Sequence, residues 1–132
     1  MIGLDTNILL RSMLNDDPVQ SPAARRLLQS LDENNRGFVN VPVMLEFFWV
    51  LRSRYKLPRT RLVGALRDLL EVKHLEFEAF ETIGKALVIY ERLAADFSDA
   101  VIAMRNSELG ADKTLTFDGK AVRRIPSMEL LS

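Results

Sequence analysis

Ile2-Gly3-Leu4-Asp5-Thr6-Asn7-Ile8-Leu9-Leu10 opens the chain with a short apolar run that an acid ends, and a helical pattern follows at once. A run that short before a helix predicts a strand-to-helix unit, and the same alternation recurs down the chain. Phe38 to Asn40 reads as a second strand, followed by a helix from Pro42 with Val43, Phe47, Val50 and Leu51 at core spacing. Val72 to Leu75 reads as a third strand, Lys113 to Phe117 as a fourth, and Met128 to Leu131 as a fifth at an edge. Helices are expected over Asn7 to Leu14, from Pro58 to about Leu70, from Phe80 to about Leu93, and from Asp96 to near Gly110. Another opens at Ser21-Pro22, read as N-cap and first helical residue. No repeat or linker interrupts this order, so the expected class is α/β with a mainly parallel sheet.

The 132 residues suit one compact domain, 1–132. A chain of that size buries roughly 68% of its unfolded surface, enough for a core without disulfide or structural metal. The absence of cysteine excludes thiol catalysis and cysteine-ligated metal centres. The longest stretch without a charge is nine residues, Gly37 to Leu45, far below the roughly 20 apolar residues of a membrane helix. No membrane span is expected, and the opening residues lack the basic region of a signal peptide, so a cytoplasmic location is expected.

Eighteen Lys and Arg balance eighteen Asp and Glu, which argues against a passive nucleic-acid binder with a basic footprint. The charges are unevenly spread. Phe47 to Arg67 holds six basic residues and no acid, whereas Asp68 to Glu81 holds five acids and one Lys. Two solvated helix faces of opposite sign explain this, as does a surface for a polyanion.

Four carboxylates fall where a parallel α/β fold puts its chemistry, beyond the carboxyl ends of its strands. Asp5 follows the first strand and Asp118 the fourth; Glu46 lies one turn into the helix after the second, and Asp99 in the first turn of the helix before the fourth. Glu46 is three residues after Val43 and four before Val50, and Asp99 precedes Ile102 and Ala103 by three and four. Both therefore share an apolar stripe. A buried carboxylate is costly unless it is paired or binds a metal.

Each acid also has a purely structural explanation. Asp5 and Asp118 suit helix N-caps, Asp96 and Asp99 suit the start of their helix, and Glu46 is exposed if its helix is rotated. All of these must hold together to explain the set. Gathered carboxylates repel by about 4 kcal/mol per close pair at an effective dielectric near 20. A hard divalent ion with oxygen ligands offsets that repulsion, which points to phosphoryl chemistry with an activated water. The single histidine, His74, falls in an expected apolar strand, which disfavours a histidine triad or zinc site.

The stretches Ile2 to Asn7, Leu45-Glu46-Phe47-Phe48-Trp49-Val50-Leu51, Asp96-Phe97-Ser98-Asp99-Ala100-Val101-Ile102-Ala103 and Leu115-Thr116-Phe117-Asp118, in this order, resemble the PIN-domain ribonucleases. In particular they resemble the VapC-type toxins of bacterial toxin–antitoxin pairs, over nearly the whole chain. The resemblance implies a PIN-like three-layer α/β/α sandwich with a central, mainly parallel sheet of four to five short strands. It also implies Mg²⁺ or Mn²⁺ at the acidic crevice, an RNA substrate and a cognate antitoxin. Asp5, Glu46, Asp99 and Asp118 match the family's acidic positions as catalytic and metal-binding residues. Asn7 and Thr116 match the polar positions beside them, where they would orient a ligand or water. Asp96 is an additional acid, assigned to capping or an outer role.

Other phosphate-handling folds fit less well. Asp5-Thr6-Asn7 lacks the second acid of a haloacid-dehalogenase-like phosphatase, and neither the neighbouring acid pair nor the late lysine of a response-regulator receiver is present. A catalytically silent PIN-like module binding RNA or a partner through Arg52 to Arg67 is the alternative. The Phe47-Phe48-Trp49 triplet and the Leu9-Leu10 pair cannot all face one small core, so a homodimer or antitoxin groove is expected to cover some of them.

Overall fold

Among the described residues the five strands are only two or three residues long, and every neighbouring pair is parallel. The structure, a computed structural model, describes residues 1–131; Ser132, the last residue of the expected domain, lies outside them. The order is β1 (Ile2–Gly3), α1 (Thr6–Met13), α2 (Gln20–Ser30), β2 (Gly37–Val39), α3 (Val41–Ser53), α4 (Arg59–Leu70), β3 (Leu75–Phe77), α5 (Phe80–Leu93), α6 (Phe97–Glu108), β4 (Thr114–Thr116), α7 (Gly119–Arg124) and β5 (Met128–Leu130). Hydrogen bonding divides the strands into β1-β2-β3 and β4-β5. Gly37 sits in the middle strand because the Leu75, Leu31 and Leu4 side chains close over its Cα; a Cβ there would meet their methyl groups at 2.7, 3.0 and 3.0 Å.

One continuous apolar core joins the helices, with Leu9, Met44, Phe47, Leu66, Ile83 and Phe97 completely enclosed. Phe48 stacks on Phe97 with ring centroids 4.6 Å apart and meets Tyr90 edge-on at 5.0 Å. These rings join α3, α5 and α6. No helix among the described residues is long and apolar enough to cross a membrane.

Three local expectations are corrected. β3 begins at Leu75 rather than Val72, because Leu75 N–H turns back to the Val72 carbonyl and His74 takes a left-handed φ of 66°. His74 is accordingly a half-buried turn residue ahead of the strand. The second helix starts at Gln20 because Asp17 Oδ1 accepts the Val19 and Gln20 N–H groups. Ser21 is not its cap; its buried hydroxyl donates to the Leu14 carbonyl. Finally, α7 follows the fourth strand where no helix was expected.

Asp16 fastens the end of α1 to the end of α3. It accepts from the Tyr55 hydroxyl at 2.7 Å and from Arg11 at 2.8 Å. The Tyr55 bond, then Arg11, holds the Asp16 carboxyl below its ordinary range. A depressed carboxyl pKa stabilises the fold above the unfolded pKa and loses that effect as pH falls through the folded value. Tyr55→Phe should therefore lower the melting temperature at neutral pH, with the gap closing in acid. Melting curves from pH 7 to pH 2 check this, and a gap unchanged at the acid end would contradict it.

Candidate active site

Two capped helices position Glu46, Asp96 and Asp99. Asn40 Oδ1 accepts the Val43 N–H and Glu78 Oε1 accepts the Val41 N–H, so the start of α3 is held by its own cap and by the residue after β3. Pro42 sits in that first turn, where its missing N–H costs nothing. Asp96 Oδ1 caps α6 by accepting the Asp99 N–H at 3.0 Å, while its Oδ2 lies 3.3 Å from Arg52 of α3.

The turn between α5 and α6 is pinned from a third side. Ala94 takes the left-handed conformation that ends α5, and its carbonyl accepts from Arg124 of α7 at 2.6 Å. At the head of α7, Asp118 Oδ1 accepts the Lys120 and Ala121 N–H groups, leaving Oδ2 outside the cap. Thr116 Oγ1 accepts the Asp118 N–H at 3.0 Å, tying the acid to the end of β4.

These elements enclose a cavity of about 270 Å³ whose wall includes Asp96, Asp99 and Asp118 together with Arg52, Arg59, Lys120 and Arg124. Arg59 lies over the Tyr90 ring at 5.1 Å, a cation–π contact that holds the guanidinium at the wall. Asp99 is half-buried, and burial, followed by the charges of Asp96 and Asp118, pushes its carboxyl above the ordinary range. The site thus sets acids against bases across one hollow.

The remaining expected residues stand apart from this cavity. Asp5 occupies the N-cap position of α1 but makes no side-chain cap bond, so its exposed carboxylate is not used by the helix. Beside it the Thr6 hydroxyl is buried without a hydrogen-bond partner among the described residues. Asn7 borders a separate groove with Ile8, Arg11, Gln20 and Leu27. Glu46 is exposed, correcting the expectation that it shares the apolar stripe. The inward stripe of α3 is Met44, Phe47, Phe48 and Leu51, whereas Pro42, Glu46, Trp49 and Ser53 form the outer one. A helix apolar on most sides gives spacing little power to choose its face.

Among the described residues, no three acids or histidines converge closely enough to hold a metal ion together. Like charges draw that close only against a counter-charge. In chemical type the candidates fit a hard divalent cation, since all are carboxylate oxygens, and the unfavourable charge on Asp99 is of the sign a cation offsets.

Sequence reading missed Arg59, Lys120 and Arg124 as individual wall residues. The last two had a local signal: Asp118 before Gly119-Lys120-Ala121, with Arg123-Arg124 and then Pro126, is the pattern of a short capped helix. Of the basic stretch, Arg52 and Arg59 reach the cavity, while Arg67 pairs with Glu91 at 2.6 Å.

A model of the PIN domain matches residues 2–126, and the chain belongs to the PIN domain family. Among solved structures the chain is similar to the crystal structure of Mycobacterium tuberculosis VapC20, a sarcin-ricin loop cleaving toxin. The two are 20% identical, with 93% of this chain and 94% of that chain covered, at a TM-score of 0.45. No curated protein matches the chain.

Proposed function

We propose that this PIN-domain protein is a divalent-metal-dependent endoribonuclease, acting as the VapC-type toxin of a toxin–antitoxin pair. The observation that carries the reading is the cavity in which Asp96, Asp99 and Asp118 share a wall with Arg52, Arg59, Lys120 and Arg124. Metal-assisted hydrolysis of a phosphodiester uses both halves of such a wall. Carboxylates hold the catalytic ion and position the attacking water, and cations hold the phosphates on either side.

In this reading Asp5 and Asp99 would be the principal ligands of the ion, with Glu46 and Asp118 completing the site and positioning the attacking water. Thr116 fixes Asp118, and Asp96 holds the first turn of α6 and Arg52 in register. Mg²⁺ or Mn²⁺, when bound, would activate the water and offset charge on the phosphate. The proposed setting is cytoplasmic, the proposed assembly a homodimer, and the proposed regulator a cognate antitoxin, as the VapC resemblance implies.

The chemistry has a direct signature. Attack by water in line with the leaving 3′ oxygen leaves a 5′-phosphate and a 3′-hydroxyl, whereas attack by the RNA's own 2′-hydroxyl leaves a 2′,3′-cyclic phosphate. Digests of total RNA should therefore yield ends that accept a 5′-label only after phosphatase treatment. Cyclic phosphate ends would contradict the assigned role of the acids.

A further inference from the structure

Beside the acidic cavity lies a second hollow of about 410 Å³, lined by Phe48, Trp49, Arg52, Ser53, Asp96 and Ser98. Arg52 and Asp96 belong to both walls, so their ion pair forms the partition between the two. Of the three consecutive aromatics on α3, Phe47 and Phe48 are buried, whereas Trp49 is 56% exposed. A large indole face left in water next to a guanidinium is a surface with two matched uses. The ring stacks on a flat base, and the cation attracts the phosphate attached to it.

We propose that Trp49, with Arg52 at its side, is a stacking platform for one unpaired nucleobase of single-stranded RNA, next to the scissile phosphate. The inference rests on the ribonuclease reading and adds a substrate subsite to it. Three observations select a base as the occupant. The hollow adjoins the cavity that holds the candidate acids, with Arg52 and Asp96 common to both walls. Arg52 puts positive charge on the wall between the two, and Arg59, Lys120 and Arg124 continue it around the acidic cavity. Ser53 and Ser98 put hydroxyls on the wall, which suit the polar edge of a base and not an apolar partner helix. Duplex RNA would not serve, because its bases are already stacked on one another.

Trp49 is the sole tryptophan of the chain, so its fluorescence reports this one place. The experiment uses Asp99→Asn protein, in which cutting is expected to be largely lost, and two probes of equal length: a single-stranded oligoribonucleotide and an abasic ribose-phosphate chain. The oligoribonucleotide should quench Trp49 as it binds, whereas the abasic chain should bind more weakly and leave the emission unchanged. Adding Trp49→Ala should weaken oligoribonucleotide binding by about 5- to 150-fold in anisotropy titrations, and Trp49→Phe should recover part of the loss. A circular-dichroism melt confirms that each variant is folded. Tight binding without quenching, or equal affinity for the two probes, would overturn the subsite and leave the ribonuclease reading standing. Emission that shifts with protein concentration alone would overturn it by assigning Trp49 to a contact between copies. If the unsubstituted protein neither binds nor cuts RNA, the ribonuclease reading falls and the subsite with it.

Discussion

Asp99→Asn should reduce RNA cleavage on the order of 10³-fold without unfolding the protein. The catalytic ion is worth several kcal/mol to a transition state that gathers charge on the phosphate, and each 1.36 kcal/mol is a decade of rate. Asn keeps the size of the side chain and its place one turn into α6, and the Asp96 cap bonds to the backbone N–H of residue 99, which the substitution leaves in place. Without divalent ions the variant should melt no lower than the unsubstituted protein. Burial, then Asp96 and Asp118, raises the Asp99 carboxyl above its ordinary range, so its ionisation opposes folding. That penalty is present at neutral pH, fades as pH falls through the raised folded value, and is gone below the unfolded carboxylate value. Cleavage at a tenth or more of the original rate would remove Asp99 from the catalytic set.

The second large effect is on stability. Phe97→Ala should cost roughly 3–5 kcal/mol, which for a chain of this size lowers the melting temperature by roughly 10–15 °C. Phe97 is completely buried and stacks on Phe48, which in turn meets Tyr90. Removing the ring leaves a void where α3, α5 and α6 meet. Phe97 is the first residue of α6, between Asp96 and Asp99, so cleavage measured well below the melting point should fall as well, while Phe97→Leu should retain much of both. Scanning calorimetry checks the first part. A shift under about 3 °C would mean that the three helices are joined elsewhere.

The parts of this molecule legible in the sequence were those with strong local chemistry. Asp5 ending an apolar run, Pro42 in the first turn of α3, and Asp96 three residues before Asp99 are local boundary signals that little else in a fold can override. They placed the strand-to-helix units and hence the candidate acids. What failed depended on tertiary context. Glu46 was assigned to the wrong side of α3 because that helix is apolar nearly all round, and only packing against Leu9, Leu66 and Phe97 selects Met44, Phe47, Phe48 and Leu51 as the inward face. Val72 is apolar enough for a strand, yet the left-handed backbone at His74 delays β3 to Leu75. The short α7 was overlooked, and with it Lys120 and Arg124, which turn a cluster of acids into a wall of both signs.

Exposure divides the aromatic triplet in the same way. Sequence alone required that Phe47, Phe48 and Trp49 point in different directions; the fold determines that Trp49 is the one left outside, beside Arg52 and Asp96. A catalytically silent RNA-binding module would retain this surface and its basic neighbours. It would not depend on divalent ions for any cleavage, so the divalent-ion response of cleavage, and not binding, separates the two readings.

The most direct test is cleavage of single-stranded RNA by the purified protein across a titration of Mg²⁺ or Mn²⁺ against EDTA. Cutting should rise with the divalent ion, disappear in excess EDTA, and return when the ion is restored. RNA cleavage that continues undiminished in EDTA, and is equally strong in Asp99→Asn, would contradict the account.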